Sequence, residues 1–200
     1  MPPWWKAKFV YKERHYGFNK IPYNPKGMLL DGYLGNIKYF DHRRAEILAL
    51  FKDENIIKYL QTRYSSLLKN SVSLHVRRGD YLKLEKVYYI TGVDYYEKAL
   101  SLLEESVVID NILVVSDDIE WCKENFHDER ITFIDGYMDY IDMYIMSLCD
   151  HQILTNSSFS WWGAYLNENK DNIVYSPKKW FKEGGLPKEE YIMCPNWIMI

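Results

Sequence analysis

The pattern of apolar and polar positions becomes regular from about residue 71 onward. Ser71 to Val76 alternates apolar and polar side chains, which is typical of a β-strand. The predicted strands cover 71–76, 111–115, 131–134, 152–155 and 173–175, and the predicted helices cover 93–103, 117 or 118 to 125, 139–149 and 158–166. Strands that alternate with helices predict a doubly wound α/β domain with a mainly parallel sheet, in which 173–175 is the last strand.

The first 70 residues show a less regular pattern. Residues 1–27 are rich in Pro, Tyr and Trp and have no clear period. Further along, an extended run is predicted at 28–33 and helices are predicted at 40–51 and 55–68. We therefore expect residues 1–70 to form a separate part of the protein and residues 71–200 to form the regular α/β domain.

Composition and charge narrow the class of protein. The chain has 200 residues, of which 48% are hydrophobic and 16% are aromatic, so it can bury a core and is not disordered. Its net charge is -3 and its pI is about 6.0, whereas a general nucleic-acid binder is usually basic. No nucleic-acid partner is therefore expected.

The cysteines and the first residues bear on location. Cys122, Cys149 and Cys194 are widely spaced, lack the ligand spacing of a zinc site, and are interpreted as reduced cytosolic thiols. The first residues lack the apolar core of a signal peptide, and the apolar runs are too short to span a bilayer. We expect a cytoplasmic protein, and peripheral association with the inner face of the membrane stays open.

Polar residues follow three of the predicted strands. His75 to Tyr81 follows the first strand, Ser116 to Asp118 follows the second, and Thr155 to Ser158 follows a later one. Ligands of open parallel sheets bind beyond the carboxyl ends of the strands. We therefore expect these three clusters to face the same rim and to form a site there.

The first cluster places Arg77 and Arg78 beside a glycine. Guanidinium groups form bidentate, charge-assisted bonds to phosphate. A solvated turn in which Asp80 pairs with an arginine would explain the same residues. The Arg-Gly-Asp tripeptide closes a predicted core strand, so a role in cell adhesion is not expected. Taken alone, these residues leave the phosphate site and the surface turn open.

The second cluster ends its strand in Asp117 and Asp118. One carboxylate could cap the next helix, and the other could accept hydrogen bonds from a base or a sugar. An Asp-x-Asp pair would favour a divalent metal ion, but the chain contains none. We therefore expect no metal, and arginine and backbone dipoles would have to balance negative charge at the site.

The third cluster is a run of small polar residues that opens a helix. Free backbone N–H groups and the helix dipole would make this helix start an anion site, although helix capping alone would explain Ser157 and Ser158. Asn156 begins a glycosylation sequon, which we expect to be unused because it lies between a strand and a helix. Trp161 and Trp162 could stack on a base or sugar, but packing between helix and sheet is the favoured interpretation.

Several of these segments resemble the signatures of the α-1,2-fucosyltransferase family. The segments that carry the resemblance are His75–Tyr81, Ser116–Cys122 and Cys149–Leu166, with Pro177–Trp180 at the close and Gly32–Phe40 ahead of the first signature. The third signature is so long and specific that chance agreement is negligible. The resemblance as a whole covers roughly residues 28 to 181.

The resemblance implies a fold and a reaction. The fold would be a two-domain glycosyltransferase of the B type, with a partial acceptor-side domain at 1–70 and a Rossmann-like domain for the GDP-sugar at 71–200. The donor substrate would be GDP-β-L-fucose, with no cofactor and no metal. Fucose would pass with inversion to a hydroxyl of a glycan acceptor, usually the 2-position of a terminal galactose.

The resemblance also assigns roles to residues. The implied donor-binding residues are His75, Arg77, Asp117, Asp118, Asn156, Ser157 and Ser158. Arg77 would contact the β-phosphate with Arg78 in support, His75 and Asp118 would recognise guanine, and the two serines would bind the diphosphate.

The catalytic candidates are Arg77, Arg78 and Asp80. Asp80 is one candidate for the general base, although it could serve only to orient an arginine. Glu85 is a weaker candidate, and a base in a segment absent from this chain is a third alternative.

The chain departs from the family pattern at its beginning. Family members usually start with a strand and a turn of the type Gly-Gly-Leu-Gly-Asn-Gln, which is absent here, and their first signature lies near mid-chain. We therefore expect about half of the acceptor domain to be missing. Three hypotheses follow: an active transferase, a remnant that binds GDP-fucose without turnover, and a relative with another linkage or GDP-sugar.

Overall fold

The computed structural model describes residues 9–13, 17–182 and 188–200. These residues fall into two compact units, a smaller one made of 9–46 and 188–195 and a larger one made of 47–182 and 196–200. The chain thus passes from one unit to the other between Glu46 and Ile47, ahead of the boundary expected at residue 70. The assignment of acceptor and donor sides to parts of the chain stays a prediction.

The smaller unit contains a pair of short strands. β1 (Val10–Lys12) and β2 (Leu29–Asp31) pair in parallel, and β2 lies within the extended run predicted at 28–33. A 3-10 turn at Asp41–Arg43 then leads into helix α1 (Arg44–Phe51). The helix predicted at 40–51 therefore exists, but it begins a turn later than expected.

The larger unit is built on a parallel sheet. Its strands are β3 (Ser71–Val76), β4 (Asn111–Ser116), β5 (Ile131–Ile134), β6 (His151–Ile153), β7 (Val174–Ser176) and β8 (Ile198–Met199). Its helices after α1 are α2 (Glu54–Arg63), α3 (Val93–Glu104), α4 (Ile119–Asn125), α5 (Asp139–Leu148) and α6 (Ser158–Tyr165). The strand order is β5-β4-β3-β6-β7-β8. The predicted α/β fold with a parallel sheet is confirmed.

Strand β8 corrects the expectation that 173–175 is the last strand. It pairs with β7 at the sheet edge, where Tyr175 faces Ile198 and Ser176 faces Met199. Two residues are too few to show a period-two pattern, and both residues of β8 are exposed. The hydrophobic pattern therefore could not reveal this strand.

Both faces of the sheet are covered, which explains why every residue of β3 is buried. Val72 and Leu74 pack in one apolar cluster with Leu103 of α3. On strand β4, Leu113 packs in a second cluster with Ile145 of α5. Successive side chains of a strand point to opposite faces, so the polar residues that alternate along β3 are buried beneath helices rather than exposed to water.

Helices α5 and α6 approach each other closely at Gly163. A Cβ atom at this position would lie 2.9 Å from the Cε and 3.0 Å from the Cβ of Met146, so Met146 would have to shift for any larger residue. The tryptophans of α6 pack within the protein: Trp161 stacks on Tyr165 at 4.8 Å between ring centroids, and Trp162 stacks on Phe51 at 5.4 Å. This arrangement supports the interpretation of both as packing residues.

All three cysteines are buried and free, and burial raises the pKa of the Cys149 thiol to about 12. In the described part of the chain, no helix is both long and apolar enough to cross a membrane.

The strand order creates a switch point between β3 and β6. The chain runs outward from β3 through β4 to β5, and then returns to the opposite side of β3 as β6. The carboxyl ends of β3 and β6 therefore flank the crevice in which open α/β sheets bind ligands. The arginine pair follows β3, and the serines that open α6 follow β6.

Candidate functional site

Arg78 is fixed in place by contacts with the second polar cluster. Its backbone N–H donates to Asp117 Oδ1 at 2.8 Å, and its Nε donates to Asp118 Oδ2 at 3.2 Å. Its guanidinium lies 3.9 Å from the ring centroid of Trp121, close enough for a cation–π contact. The Arg78 side chain is only 17% exposed. These contacts make it a support for the loop, and its support of a phosphate contact by Arg77 stays a prediction.

Arg77 is the more open of the two arginines, with 32% of its side chain exposed. Its Nη2 lies 2.8 Å from Asp80 Oδ1, and its Nε lies 3.2 Å from Asp117 Oδ2. The pairing with Asp80 matches the surface-turn interpretation. Arg77 is also paired with Asp117, which follows strand β4. Two carboxylates thus orient one accessible guanidinium at the rim.

Gly79 leaves room for the close approach of the Asp117 carboxylate. A Cβ atom on Gly79 would lie 2.5 Å from Asp117 Oδ2, far inside van der Waals contact. The same carboxylate receives both the backbone N–H of Arg78 and the guanidinium of Arg77. The glycine between the arginine pair and Asp80 therefore lets Asp117 hold both arginines.

Asp118 fulfils the capping role that the sequence offered as one alternative. It is the N-cap of α4, where its Oδ1 accepts from the backbone N–H of Trp121 at 3.3 Å. Its own N–H donates to Ser116 Oγ at 2.9 Å. Both carboxylates of this cluster are thus committed to the protein, and their contact with a nucleoside stays a prediction.

The third cluster forms the start of α6. Ser157 is buried and is the N-cap, with its Oγ accepting from the N–H of Phe159 at 3.3 Å. Ser158 is the first helical residue and is exposed. The capping interpretation is therefore confirmed for Ser157, and the exposed hydroxyl at the helix start belongs to Ser158. Binding of a diphosphate by either serine stays a prediction.

The three clusters meet at one rim, as the sequence predicts. The first and second are joined by the arginine–aspartate contacts, and the first and third are joined because the Tyr81 hydroxyl donates to the backbone oxygen of Asn156 at 3.0 Å. Asn156 itself is 1% exposed, in keeping with an unused sequon. Its side chain is bonded to protein atoms, which argues against a direct contact with a ligand.

His75 carries a buried nitrogen without a partner. The side chain is 3% exposed, and its ring centroid lies 5.4 Å from that of Phe159. Among the described residues, its Nδ1 has no hydrogen-bond partner. Burial, with a smaller contribution from the nearby Arg77 charge, lowers the His75 pKa to about 3, so the imidazole is neutral at physiological pH. An unpaired buried nitrogen is costly and calls for an explanation such as a ligand.

This depressed pKa predicts acid sensitivity. The pKa of His75 is lower in the folded protein than in the unfolded chain, so the unfolded chain takes up a proton at a higher pH. The free energy of unfolding therefore decreases as the pH falls below about 6.5. We expect His75→Gln to remove up to ~1.4 kcal/mol per pH unit from the slope of unfolding free energy between about pH 6.5 and 5. Urea unfolding across that range measures the slope. Burial also lowers the pKa of His151, but this residue is present in both proteins, so its contribution to the slope cancels in the comparison. Equal slopes for the wild type and His75→Gln would refute the prediction.

The candidates for a general base are both accessible. The Asp80 side chain is 55% exposed and its carboxylate pairs with Arg77. Glu85 is also exposed, at the end of the 3-10 turn Tyr81–Leu84. The contact of Asp80 supports an orienting role, and the identity of the base stays a prediction. In the part of the chain that the structure describes, no group of three or more His, Cys, Asp or Glu residues could hold a metal ion.

Several aromatic rings that shape the rim had no role predicted from the sequence. Trp121 supports Arg78, and Tyr88 stacks on Tyr81, a member of the first cluster, with ring centroids 4.1 Å apart. Tyr88 in turn packs against Phe181 at 5.7 Å. The aromatic type of these residues was the only available signal, because spacing along the chain does not indicate which distant ring or cation each will meet.

The fold and rim define a parallel α/β protein with an arginine pair and a helix N-terminus at its switch point. Within that class, the chain belongs to glycosyl transferase family 11, whose family model matches residues 8–200. The resemblance noted from the signatures is thereby confirmed.

Individual relatives agree with this assignment. The chain is 36% identical over 185 residues to the O-antigen biosynthesis glycosyltransferase WbnK of Escherichia coli, covering 86% of this chain and 60% of that protein. It is 33% identical over 180 residues to an alpha-1,2-colitosyltransferase of Escherichia coli, covering 84% and 61%. It is 26% identical over 208 residues to galactoside alpha-(1,2)-fucosyltransferase 2 of Oryctolagus cuniculus, covering 95% and 57%.

Two further comparisons concern the length of the relatives and the solved structures. The chain spans about 60% of the length of these curated relatives. Among solved structures, it is similar to NodZ alpha-1,6-fucosyltransferase co-crystallized with GDP, with a TM-score of 0.36 and 12% identity over 56% of this chain and 41% of that one.

Proposed function

We propose that the protein is a galactoside α-1,2-fucosyltransferase that transfers L-fucose from GDP-β-L-fucose with inversion and without a metal. The observation that carries the proposal is the joining of the arginine loop to the start of α6 at the switch point, through the Tyr81–Asn156 hydrogen bond. Membership of glycosyl transferase family 11 supports the reaction class, and the names of the relatives support an α-1,2 linkage.

The proposed reaction is a single in-line displacement. The acceptor oxygen forms a bond to the anomeric carbon of fucose as the bond from that carbon to the β-phosphate oxygen breaks. The electron pair of the broken bond leaves with GDP, and the hydroxyl proton passes to a general base. The protein must therefore stabilise the growing negative charge on GDP and accept one proton.

The arrangement of the rim suits stabilisation of GDP. Arg77 offers an accessible guanidinium held by two carboxylates, so it is preorganised before a phosphate arrives. Arg78 holds the loop in place through its bonds to Asp117 and Asp118. The N-terminus of α6 would present the positive end of the helix dipole and the exposed hydroxyl of Ser158 to the second side of the diphosphate.

His75 suits recognition of the nucleoside. A hydroxyl or N–H of guanosine would supply the partner that its buried Nδ1 lacks. A neutral imidazole also places no second positive charge beside Arg77. Asp118 uses Oδ1 to cap α4 and Oδ2 to accept from Arg78 Nε, so it would contribute through the remaining lone pair of Oδ2.

A second candidate donor is supported by one relative. The alpha-1,2-colitosyltransferase is 33% identical to this chain, against 26% for the rabbit fucosyltransferase. Colitosyl transfer is therefore the leading alternative to fucosyl transfer. Offering each GDP-sugar with the same galactose-terminated acceptor, and weighing the products by mass spectrometry, decides between them; NMR of the product decides the linkage.

The broader setting follows from the same proposal. An O-antigen glycosyltransferase among the relatives supports a bacterial surface polysaccharide as the acceptor. Such a role would place the protein in the cytoplasm, at the inner face of the membrane. The fold would be a two-domain glycosyltransferase of the B type, and the parallel sheet of the larger unit would belong to its GDP-sugar-binding domain.

Two measurements test the proposal: calorimetric titration of the protein with GDP, and an assay of fucose transfer. Both are carried out with a metal chelator present, because the proposed reaction uses no metal. We expect saturable binding of GDP and transfer of fucose to a galactose-terminated acceptor. Binding without transfer would favour a donor-binding remnant over the active enzyme. Absence of GDP binding would contradict both.

A further inference from the structure

The side chain of Asn156 uses all its hydrogen-bonding groups inside the protein. Its Nδ2 donates to the backbone oxygens of Tyr89 at 2.8 Å and Trp180 at 2.7 Å. Its Oδ1 accepts from the hydroxyls of Thr91 at 3.3 Å and Thr155 at 3.0 Å. A primary amide has two N–H donors and one oxygen with two lone pairs. No bonding capacity therefore remains for a ligand.

Three of these partners, Tyr89, Thr91 and Trp180, belong to segments far from Asn156 in the chain. Residues 77–92, which we name the front loop, run from the arginine pair to α3. Residues 177–182, which we name the closing segment, follow β7. Asn156 lies between β6 and α6 and bonds to both. A single buried side chain thus ties the front loop and the closing segment to the start of α6.

The front loop and the closing segment also bond to each other. The N–H of Tyr89 donates to the oxygen of Trp180 at 3.1 Å, and the N–H of Lys182 donates to the oxygen of Val87 at 2.8 Å. Because Asn156 bonds to the oxygens of Tyr89 and Trp180, it sits at the junction of this pairing.

A second tie leads from Asn156 to the arginine pair. The Tyr81 hydroxyl donates to the backbone oxygen of Asn156, and the Arg77 guanidinium lies 5.7 Å from the centroid of the Tyr81 ring. The next residue after Asn156 is the N-cap of α6. The spacing between Arg77 and the helix start therefore depends on contacts that centre on Asn156.

We propose that Asn156 is a positioning residue, which sets the distance between the arginine pair and the N-terminus of α6 and does not itself contact the donor. The inference rests on the proposed function for its link to GDP affinity. The contact geometry itself stands independently, so hydrogen exchange of the ligand-free protein can test it without any nucleotide.

The experiment compares Asn156→Ala with a matched buried asparagine. Asn167 is 4% exposed and its Nδ2 donates to the oxygen of Cys149, near the opposite end of α6. Both substitutions remove a buried amide that is bonded to backbone, so both should lower the melting temperature. Only Asn156→Ala should speed exchange in the front loop and the closing segment together. It should also weaken GDP binding by ~10-fold, the effect of leaving buried groups without partners.

Tyr81→Phe provides a variant that keeps the fold. It removes only the hydroxyl and retains the ring that stacks on Tyr88. We expect a smaller loss of GDP affinity in the same direction, with faster exchange in the front loop. This outcome, with that of Asn156→Ala, supports the positioning role.

Two results would overturn the inference. One is that Asn156→Ala and the wild type show the same hydrogen-exchange rates in the front loop and the closing segment. The other is a GDP affinity lowered equally by Asn167→Ala. If the wild-type chain binds no GDP, the proposed function fails, and hydrogen exchange alone decides whether Asn156 joins the segments.

Discussion

Replacing Arg77 with alanine is expected to lower turnover with the GDP-sugar by ~100-fold or more, the usual cost of losing one preorganised donor at a developing charge. Arg77 is the accessible guanidinium at the rim, and the carboxylates of Asp80 and Asp117 hold it before any phosphate binds. Its removal takes away the charge that would neutralise departing GDP. Initial rates of transfer at saturating acceptor measure the effect.

Arg130 provides the matched control for Arg77. It also pairs with two carboxylates, at 2.6 Å from both Asp128 and Glu104, but it lies just ahead of β5, at the amino end of the sheet. Arg130→Ala should lower stability and leave turnover per folded molecule unchanged. Normal turnover in Arg77→Ala would remove the basis for assigning the phosphate site to this loop.

Replacing Gly79 with alanine is expected to lower kcat/KM by ~100-fold, the order of loss that follows when reacting groups are displaced by about an ångström. The added Cβ would meet Asp117 Oδ2 at 2.5 Å, so the carboxylate or the loop must move. Either movement breaks the bonds from Asp117 to the backbone of Arg78 and the side chain of Arg77. Steady-state kinetics measure the loss.

A second glycine and a double variant separate this cause from a general loss of stability. A Cβ on Gly35 would have its nearest neighbour at 3.7 Å, an ordinary contact, so Gly35→Ala should be tolerated. If the clash with Asp117 is the cause, Gly79→Ala should add little to Asp117→Ala, because residues in contact give non-additive effects. Full additivity would place the cause elsewhere.

The central part of the fold could be predicted because its signals are local. β3 and β5 were predicted with the bounds that the structure gives, 71–76 and 131–134. The predicted strands show runs of apolar or alternating residues, and three helices, α2, α4 and α6, begin after a capping side chain, namely Asp53, Asp118 and Ser157. The convergence of the polar clusters followed from topology alone, since parallel strands place all their carboxyl ends on one side.

Long-range contacts set the limits of sequence reasoning. The stacking of Arg78 on Trp121 and three of the four side-chain hydrogen bonds of Asn156 join residues that only the folded chain brings together. The sequence showed Asn156 as one member of a polar helix start. Its saturation by protein groups could not be inferred from residue type, because an exposed asparagine at the same place would have the same sequence pattern.

The division of the chain shows the same limit. The amphipathic helix at 55–68 was placed with the first part of the chain. In the structure, α2 belongs to the larger unit, where Leu60 packs in the cluster that contains Leu113 of β4 and Ile145 of α5. An amphipathic pattern shows that a helix has an apolar face, but it does not identify the surface that the face will cover.

Arg77 is proposed to recognise the β-phosphate of a guanosine diphosphate at this rim. Calorimetric titration of the wild type and Arg77→Ala with GDP and with GMP isolates that contact. We expect the wild type to bind GDP at least ~10-fold more tightly than GMP, because of a charge-assisted contact to the additional phosphate, and Arg77→Ala to lose this preference. Equal binding of GDP and GMP by the wild type, or a preference that survives in Arg77→Ala, would show that Arg77 does not recognise the β-phosphate.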